Sequence, residues 1–347
     1  MTRTISLVLF ATIFAILPES HASVVRVDDP ANNPGGLSSY EYVPENLAEG
    51  APLVVALHAC EQFARDFDGE TGWVAMADRM GFALLFPEQR FTNNTFVCFN
   101  WFVPVDVARE GGESESIMAM VDAMLIRHRL DANRVFVTGL SAGAAMAQVM
   151  LARYPERFKG GALVAGVPFG CGTDLSTAFQ CLEDPGVRPW GNLLPAYEGE
   201  WPSVTIWQGT EDPVVAPSNA NALAVQWRAA HGLDENDVTS DSFSVATRSR
   251  WGDGQVELVF LDGMSHGTPI DLDRACGQPD VFTRDVGVCG AEEISQFFRL
   301  DAPPSEPPRI LQPEEPPEPT PEPVPEGCGA GGALFGFFVR RRRRSGE

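Results

Sequence analysis

A serine between two glycines is the first residue of this chain whose setting could support chemistry. Ser141 lies in the stretch VTGLSAGAAM, with Gly139 and Gly143 on either side. This Gly-x-Ser-x-Gly spacing is typical of a nucleophilic serine at a sharp turn between a strand and a helix. The same spacing also fits a structural serine in a tight turn. A serine hydroxyl reacts only when a positioned base removes its proton, so the remaining residues must decide between the two interpretations.

The choice of base is narrow because the chain has five histidines. His21 lies in an N-terminal segment that is expected to be removed. His128 is predicted on the apolar face of a helix, and His231 at a helix end. Where a serine occupies this kind of turn, the acid and then the base follow it along the chain. That order excludes His58 and favours His266, in LDGMSHGTP, as the base; a surface histidine without a catalytic role is the alternative.

The acid that orients the base must lie between the serine and the histidine. Asp212 follows the apolar stretch SVTIWQG and is our first choice. Glu211 is the second choice, because its longer side chain gives a less fixed geometry. An aspartate before a proline is also common in simple turns, and Asp212 precedes Pro213.

Acyl transfer by a serine also needs two backbone amides that stabilise the negative charge developing on the substrate oxygen. The residue after the nucleophile supplies one amide and a loop after an early strand supplies the other. These positions correspond to Ala142 and to Cys60 in LHACEQ.

The elements around these residues alternate between strand and helix patterns. Helical spacing covers 117–125 and 144–155, and buried strands are indicated by APLVVALHAC, FALLFPEQ, RVFVTG, GALVAG, SVTIWQG and QVELVFLDGM. Alternating strands and helices predict a parallel sheet covered by helices on both faces, hence an α/β fold. No glycine-rich nucleotide fingerprint opens any of these helices.

Both ends of the chain differ in composition from the part between them. Residues 1–22 have the basic start, apolar run and small residues of a secretory signal peptide, which predicts export from the cytoplasm. Residues 23–301 form one domain, 302–326 a spacer rich in proline and glutamate, and 327–347 a C-terminal segment. In this last segment a Gly-Cys pair, a short apolar stretch and five arginines resemble the myxosortase-type (MYXO-CTERM) sorting signals. The resemblance implies processing near Cys328 by a sorting protease and anchoring at the cell surface.

The charge excludes several classes of partner. The formal net charge of −22 argues against nucleic acid and other polyanions. Neither a Cys-x-x-Cys spacing nor a histidine cluster indicates a metal site, and no cofactor is expected. We expect a monomer.

Four stretches together resemble the extracellular polyhydroxybutyrate depolymerase family, which is related to feruloyl and acetyl-xylan esterases. They are LHACEQ, CFNWF followed by REGGESESI, VFVTGLSAGAAM and GMSHG, and the likeness runs from about residue 40 to residue 298. The resemblance implies an α/β-hydrolase fold with a mostly parallel central sheet and a triad of Ser141, Asp212 and His266. The family has a glycine where this chain has Ala59, which leaves the geometry of the Cys60 amide the least certain feature.

The family likeness also implies a disulfide between Cys60 and Cys98. Closeness in the chain favours two further pairs, Cys171–Cys181 and Cys276–Cys289, although six cysteines allow fifteen connectivities. Cys328 is then left over in the C-terminal segment.

The resulting hypothesis is a secreted serine esterase that works through an acyl-enzyme and resembles a poly(3-hydroxybutyrate) depolymerase. Its substrate would be a polyester or, in the alternative reading, a feruloylated or acetylated polysaccharide. A peptidase is a lesser alternative, and a catalytically inactive binding protein on a hydrolase scaffold is the alternative from another class. Trp101 and Phe102 are expected to line the acyl pocket or, failing that, to belong to the core.

Overall fold

The structure is a computed structural model that describes residues 24–304 and 306–313. The strands of this part are β1 Val25–Val27, β2 Ser38–Tyr42, β3 Leu53–Leu57, β4 Ala83–Glu88, β5 Val135–Leu140, β6 Gly160–Val164, β7 Ser203–Gly209, β8 Val238–Phe243, β9 Ala246–Trp251, β10 Val256–Leu261, β11 Thr268–Ile270 and β12 Thr283–Asp285. The α-helices are α1 Ala64–Glu70, α2 Trp73–Met80, α3 Gly112–His128, α4 Ala142–Arg153, α5 Leu175–Glu183, α6 Ser218–His231 and α7 Gly290–Phe297.

Ten of these strands form one sheet in the order β1-β2-β4-β3-β5-β6-β7-β10-β9-β8. The six strands from β4 to β10 in this order are parallel, while β1, β2, β9 and β8 pair antiparallel at the two sides. In the middle of the sheet, Val137 of β5 is paired with Val55 on one side and Gly161 on the other. The carboxyl ends of the six parallel strands meet at one edge, which we call the catalytic edge because the predicted residues Ser141, Asp212 and His266 follow strands that end there.

Helices cover both faces of the sheet, as the apolar strand runs predict. Side chains alternate along β3, so that Leu53, Val55 and Leu57 face a core shared with α3, α4 and α6. Val54 and Ala56 face the opposite core, which α1, α2 and α7 close. Burial on both faces explains why the central strands are almost entirely apolar. The predicted α/β-hydrolase architecture is therefore confirmed.

The antiparallel strands at the sides of the sheet were not predicted. The β8 sequence, VTSDSF, lacks the apolar alternation that marks a strand, and its residues are exposed along nearly the whole strand. Its polar side chains are held by neighbours on β9, as in the pairing of Arg248 with Asp241. Pairing with β9 holds β8 in the sheet, although β8 has no apolar pattern of its own.

The compact body of the protein runs to Gln312, beyond the predicted domain end at 301. The Arg309 amide donates to Asp131 Oδ1 over 2.9 Å, and its carbonyl accepts from the Ala132 amide over 2.9 Å. Leu311 packs against the larger core. The first part of the predicted spacer is thus bound to the body at the edge opposite the catalytic edge. Residues 1–22, most of the spacer and the C-terminal segment 327–347 lie outside the described residues.

No helix within the described ranges combines the length and the apolar character that a membrane crossing requires.

Candidate active site

Ser141 occupies a strained turn between β5 and α4. Its φ of 57° and ψ of −118° are rare for a residue with a Cβ and are a conformation that functional sites store at a cost of about 1–3 kcal/mol. Its amide donates to the Val164 carbonyl over 2.9 Å, which fixes the turn to the neighbouring strand β6. A Cβ on Gly139 would lie 2.4 Å from the carbonyl carbon of Gly143, and a Cβ on Gly143 would lie 2.1 Å from the Leu57 carbonyl oxygen. The two glycines of the motif are therefore required by the close approach of three backbone segments.

Asp212 and His266 form a hydrogen-bonded pair at the same edge. Asp212 follows β7 and His266 follows β10, and the Asp212 Oδ2 accepts from His266 Nδ1 over 2.8 Å. The Asp212 Oδ1 accepts from the amides of Val214 and Val215 over 2.8 and 2.9 Å. Because Asp212 binds the imidazole at Nδ1, the neutral ring carries its proton there, and Nε2 is free to accept one.

The hydrogen bonds keep Asp212 ionised in a buried place. Burial raises the pKa of its carboxyl, but the hydrogen bond and charge of His266 and the amides of Val215 and Val214 lower the pKa more, so it lies below its ordinary value. Glu211, the second choice for the acid, has an exposed side chain and its amide is bound to the Met264 carbonyl. The structure thus pairs His266 with Asp212 rather than with Glu211.

Gln208 is a neighbour of this pair that the sequence analysis missed. It is 1% exposed and lies on β7, and its Nε2 donates to Asp212 Oδ2 over 3.0 Å and to the Val215 carbonyl over 3.2 Å. Three acceptors surround Nε2, since the Gly209 carbonyl also lies 3.3 Å away, whereas Oε1 has no hydrogen-bond partner among the described residues. Gln208 therefore holds the carboxyl oxygen that binds the imidazole. Only its place on a strand leading to the acid could have indicated this role.

The loop after β3, which carries Cys60, begins next to the turn at Ser141. The 2.1 Å approach of Gly143 to the Leu57 carbonyl oxygen places the end of β3 against the first turn of α4. Neither the Cys60 amide nor the Ala142 amide has an acceptor among the residues that the structure describes. The amide of Ala142 also lies at the amino end of α4, where the helix dipole favours negative charge. Both amides remain available for an oxyanion.

A buried polar network holds the loop that carries Cys60. His58 is fully buried, which lowers its pKa to about 4. Its Nδ1 donates to the Ala59 carbonyl over 2.7 Å and its Nε2 accepts from the Gln89 amide over 3.0 Å. The Gln89 side chain donates to the Cys98 carbonyl over 3.0 Å and to the carboxyl of Glu113. His58 is thus a neutral structural histidine, as the chain order predicts.

Glu113 is a buried carboxyl in the same network. Burial raises its pKa to about 8, although its hydrogen bond from the Asn100 amide, 2.8 Å long, acts in the opposite direction. Through Gln89 and Asn100 it connects the loop of the Cys60–Cys98 disulfide to the start of α3.

Two further histidines of the described residues, His128 and His231, lie away from the catalytic edge. His128, which was predicted on the apolar face of a helix, ends α3, and its Nε2 lies 2.8 Å from Glu41 Oε2 of β2, a strand that was not predicted. His231 ends α6, and its Nε2 donates to the Pro202 carbonyl over 3.1 Å. Neither can reach Ser141.

Trp101 and Phe102 line an apolar cavity of about 220 Å³ that runs along α4. Its lining also includes Ala145 and Val149 of this helix. Ala145 lies one helical turn beyond Ser141, and its amide donates to the Ser141 carbonyl over 2.9 Å. The cavity therefore comes within one helical turn of Ser141, although Ser141 itself is not among its lining residues.

Three disulfides are present among the described residues: Cys60–Cys98, Cys171–Cys181 and Cys276–Cys289. These are the pairs named in the sequence analysis. Within 24–304 and 306–313, no group of three or more histidine, cysteine, aspartate or glutamate side chains is placed to hold a metal ion. The Ser141 hydroxyl makes no hydrogen bond to His266 in this part of the chain, a contact that is often long before substrate binds.

Comparisons with known proteins agree with the geometry. The family model described as Esterase PHB depolymerase matches residues 37–249, a range that contains Ser141 and Asp212. Poly(3-hydroxyalkanoate) depolymerase C of Paucimonas lemoignei is 40% identical over 309 residues, which cover 84% of this chain and 74% of that protein.

Two further relatives are named as an acetylxylan esterase and a feruloyl esterase. The acetylxylan esterase of Coprinopsis cinerea is 34% identical, covering 69% of this chain and 67% of that protein. Feruloyl esterase B of Talaromyces stipitatus is 31% identical and covers 76% of each. Among solved structures, the acetyl xylan esterase from Aspergillus awamori has a TM-score of 0.69 at 25% identity, covering 80% of this chain and 99% of that one. The chain therefore belongs to the Esterase PHB depolymerase family and is a carboxylic ester hydrolase.

Proposed function

We propose that this esterase is a serine hydrolase with Ser141 as nucleophile, His266 as general base and Asp212 as the residue that orients His266. The observation that carries the proposal is the hydrogen bond between His266 Nδ1 and the buried Asp212, at the edge where β5 presents Ser141. The strained backbone of Ser141 supports the same assignment, since a purely structural turn serine needs no such conformation.

The reaction follows from the positions of the protons. His266 Nε2 takes the proton of the Ser141 hydroxyl while Oγ attacks the ester carbonyl carbon. The tetrahedral intermediate expels the alcohol, which leaves with the proton from Nε2. Water then gives a proton to Nε2 and attacks the acyl-enzyme, so that the acid is released and the serine regains its proton. Asp212 stays ionised and stabilises the imidazolium formed in both halves of the reaction.

The negative oxygen of each tetrahedral intermediate is bound by the amides of Cys60 and Ala142. Each such donor typically contributes about 2.7–4 kcal/mol to the stabilisation of the transition state. His58 supports the Cys60 amide, because it donates to the carbonyl of the same peptide group, that of Ala59.

The substrate we infer is a poly(3-hydroxyalkanoate)-type polyester. The 40% identity to the depolymerase of Paucimonas lemoignei over 84% of this chain supports it, and so does the apolar cavity one helical turn from Ser141. A feruloylated or acetylated polysaccharide is the second candidate, favoured by the likeness to the Aspergillus awamori acetyl xylan esterase along almost all of that protein.

Product release distinguishes the two substrates. Purified protein is incubated with poly(3-hydroxybutyrate) particles, feruloylated xylan and acetylated xylan, and released hydroxybutyrate, ferulate and acetate are quantified. The proposal predicts hydroxybutyrate release that Ser141→Ala abolishes. Release of ferulate or acetate without hydroxybutyrate would favour the second candidate. If a fluorophosphonate labelled no serine of the folded protein, the result would favour an inactive binding protein.

We further infer that the protein is exported and acts outside the cytoplasm as a monomer. Three disulfides are typical of proteins that persist in an oxidising compartment. Residues 1–22 would be removed on export, and a sorting protease would act near Cys328 to anchor the enzyme at the cell surface. Intact-mass measurement of protein from the producing cells tests both cleavages, since each predicts a defined terminal residue.

A further inference from the structure

The exposed aromatic side chains of the described residues are all phenylalanines, and all lie on segments that follow parallel strands at the catalytic edge, three on loops and one on α5. Phe91 and Phe96, in the loop after β4, are 67% and 64% exposed. Phe179, on α5 after β6, is 59% exposed, and Phe63, after β3, is 44% exposed. Exposed apolar side chains of this size are costly for a soluble protein, and their concentration at one place marks an interaction surface.

Backbone contacts join these loops around the catalytic residues. The Glu61 amide donates to the Phe96 carbonyl over 2.8 Å, which puts the Phe63 and Phe96 loops side by side. On the far side, the Ala216 amide donates to the Leu182 carbonyl over 2.8 Å and connects the loop of Val214 with α5.

The loop after His266 closes the ring. The Gln278 amide donates to the Glu70 carbonyl at the end of α1 over 2.9 Å. Val281, three residues further on, is 71% exposed. Six exposed side chains on these loops and on α5 therefore form a rim at the catalytic edge, which we call the apolar rim: Phe63, Phe91, Phe96, Phe179, Val214 and Val281.

The chemistry of the rim selects its partner. A phenylalanine or valine side chain has no atom that donates or accepts a hydrogen bond, so it gains only from a partner that is itself apolar. A polysaccharide offers only the C–H faces of its sugar rings for stacking on the four phenylalanines, and its hydroxyl groups find no hydrogen-bond partner on any of the six side chains. A solid aliphatic polyester presents methyl and methylene groups beside its ester bonds. Because the rim is continuous with the site that must receive the ester, its occupant is the substrate surface itself.

We propose that the apolar rim adsorbs the enzyme onto the surface of a solid polyester and holds the catalytic edge against it. This inference rests on the proposed function, since it takes the substrate to be a polyester. The catalytic domain would then bind the insoluble substrate through its own surface, with the aromatic side chains resting on the polymer and a polymer segment entering the cavity one helical turn from Ser141.

Adsorption is measured separately from catalysis with the full chain carrying Ser141→Ala. The binding of this parent variant to poly(3-hydroxybutyrate) films is followed by quartz-crystal microbalance. It is compared with a rim variant that carries Phe91→Ser and Phe179→Ser in addition to Ser141→Ala. Neither phenylalanine touches the reacting groups. The control adds Val225→Ser and Val238→Ser, because these exposed apolar side chains lie on α6 and at the opposite end of the sheet. The rim variant should bind at least tenfold more weakly and the control within twofold of the parent.

The same substitutions in the active enzyme complete the test. The rim variant should keep kcat/KM for soluble p-nitrophenyl butyrate within twofold, which also shows that it is folded, while hydroxybutyrate release from the film falls with adsorption. Equal adsorption by rim variant and parent, or an equal loss in the control, would overturn the proposal. If Ser141→Ala adsorbs through the rim but the active enzyme releases no hydroxybutyrate, the rim stands and the proposed substrate is wrong.

Discussion

Replacing Asp212 by asparagine should inactivate the enzyme while nearly preserving the shape of the side chain. The reason lies in how the carboxyl is held. Its Oδ1 accepts from two backbone amides, those of Val214 and Val215, and an NH₂ group cannot accept from either. The asparagine must therefore keep its oxygen on that side. Its NH₂ group then faces His266 Nδ1, where Oδ2 now lies at 2.8 Å.

This orientation reverses the proton positions on the imidazole. The new NH₂ donates to Nδ1, so the neutral ring carries its proton on Nε2 and cannot take the proton of Ser141. An imidazole held in the wrong tautomer costs a serine hydrolase about 10,000-fold in kcat. With 1.36 kcal/mol for each factor of ten, this amounts to about 5.4 kcal/mol. Gln208 adds to the loss, because its Nε2 would face a donor instead of the carboxyl oxygen at 3.0 Å.

The assay is the initial rate of p-nitrophenyl butyrate hydrolysis by Asp212→Asn, with ¹⁵N NMR of the imidazole to identify the protonated nitrogen. Glu211→Gln is the matched control, since it makes the same chemical change at an exposed neighbour and should alter kcat less than twofold. A folded Asp212→Asn enzyme within tenfold of the wild-type kcat, or with its imidazole proton still on Nδ1, would refute the reasoning.

Three further outcomes follow from the site. Because burial raises the pKa of Glu113 to about 8, the folded state binds more protons than the unfolded state between about pH 4.3 and 8. The free energy of unfolding should therefore fall as pH rises through this window, and Glu113→Gln should make that slope shallower in urea titrations, while Glu70, whose pKa burial raises to about 7, contributes to the slope that remains; equal slopes would contradict it. Replacing Cys60 and Cys98 by alanine opens a loop with a sequence separation of 38, which should lower the free energy of unfolding by about 4 kcal/mol. The same change should reduce kcat, and an unchanged kcat would show that the geometry of this loop does not affect catalysis. Ala145→Leu partly fills the 220 Å³ cavity and should raise KM for p-nitrophenyl hexanoate more than for the acetate, whereas equal changes would place the acyl chain elsewhere.

The elements of the central sheet were predictable because their signals are local. Strands buried on both faces are continuous apolar runs, and the glycines around Ser141 mark the turn from β5 into α4. The closeness of Asp212 to His266 was predictable from chain order, because each follows a recognisable strand.

What the sequence analysis missed depends on contacts between distant segments. Gln208 is one of several polar residues on a strand, and only the fold shows that its amide meets Asp212. The side chain of His128 could not be placed while its partner strand, with Glu41, was unknown. The domain end was put at 301 because proline and glutamate look like a spacer, yet Arg309 binds the body through its backbone, which leaves no mark in the side-chain pattern.

The measurement that tests the central claim most directly is covalent labelling by a fluorophosphonate, followed by peptide mass spectrometry. The account predicts one phosphonyl group per chain, attached to Ser141, with labelling abolished in Ser141→Ala and strongly slowed in His266→Ala. Labelling of a different serine, or an unlabelled Ser141 in folded protein that still hydrolyses p-nitrophenyl butyrate, would contradict the assignment of the nucleophile.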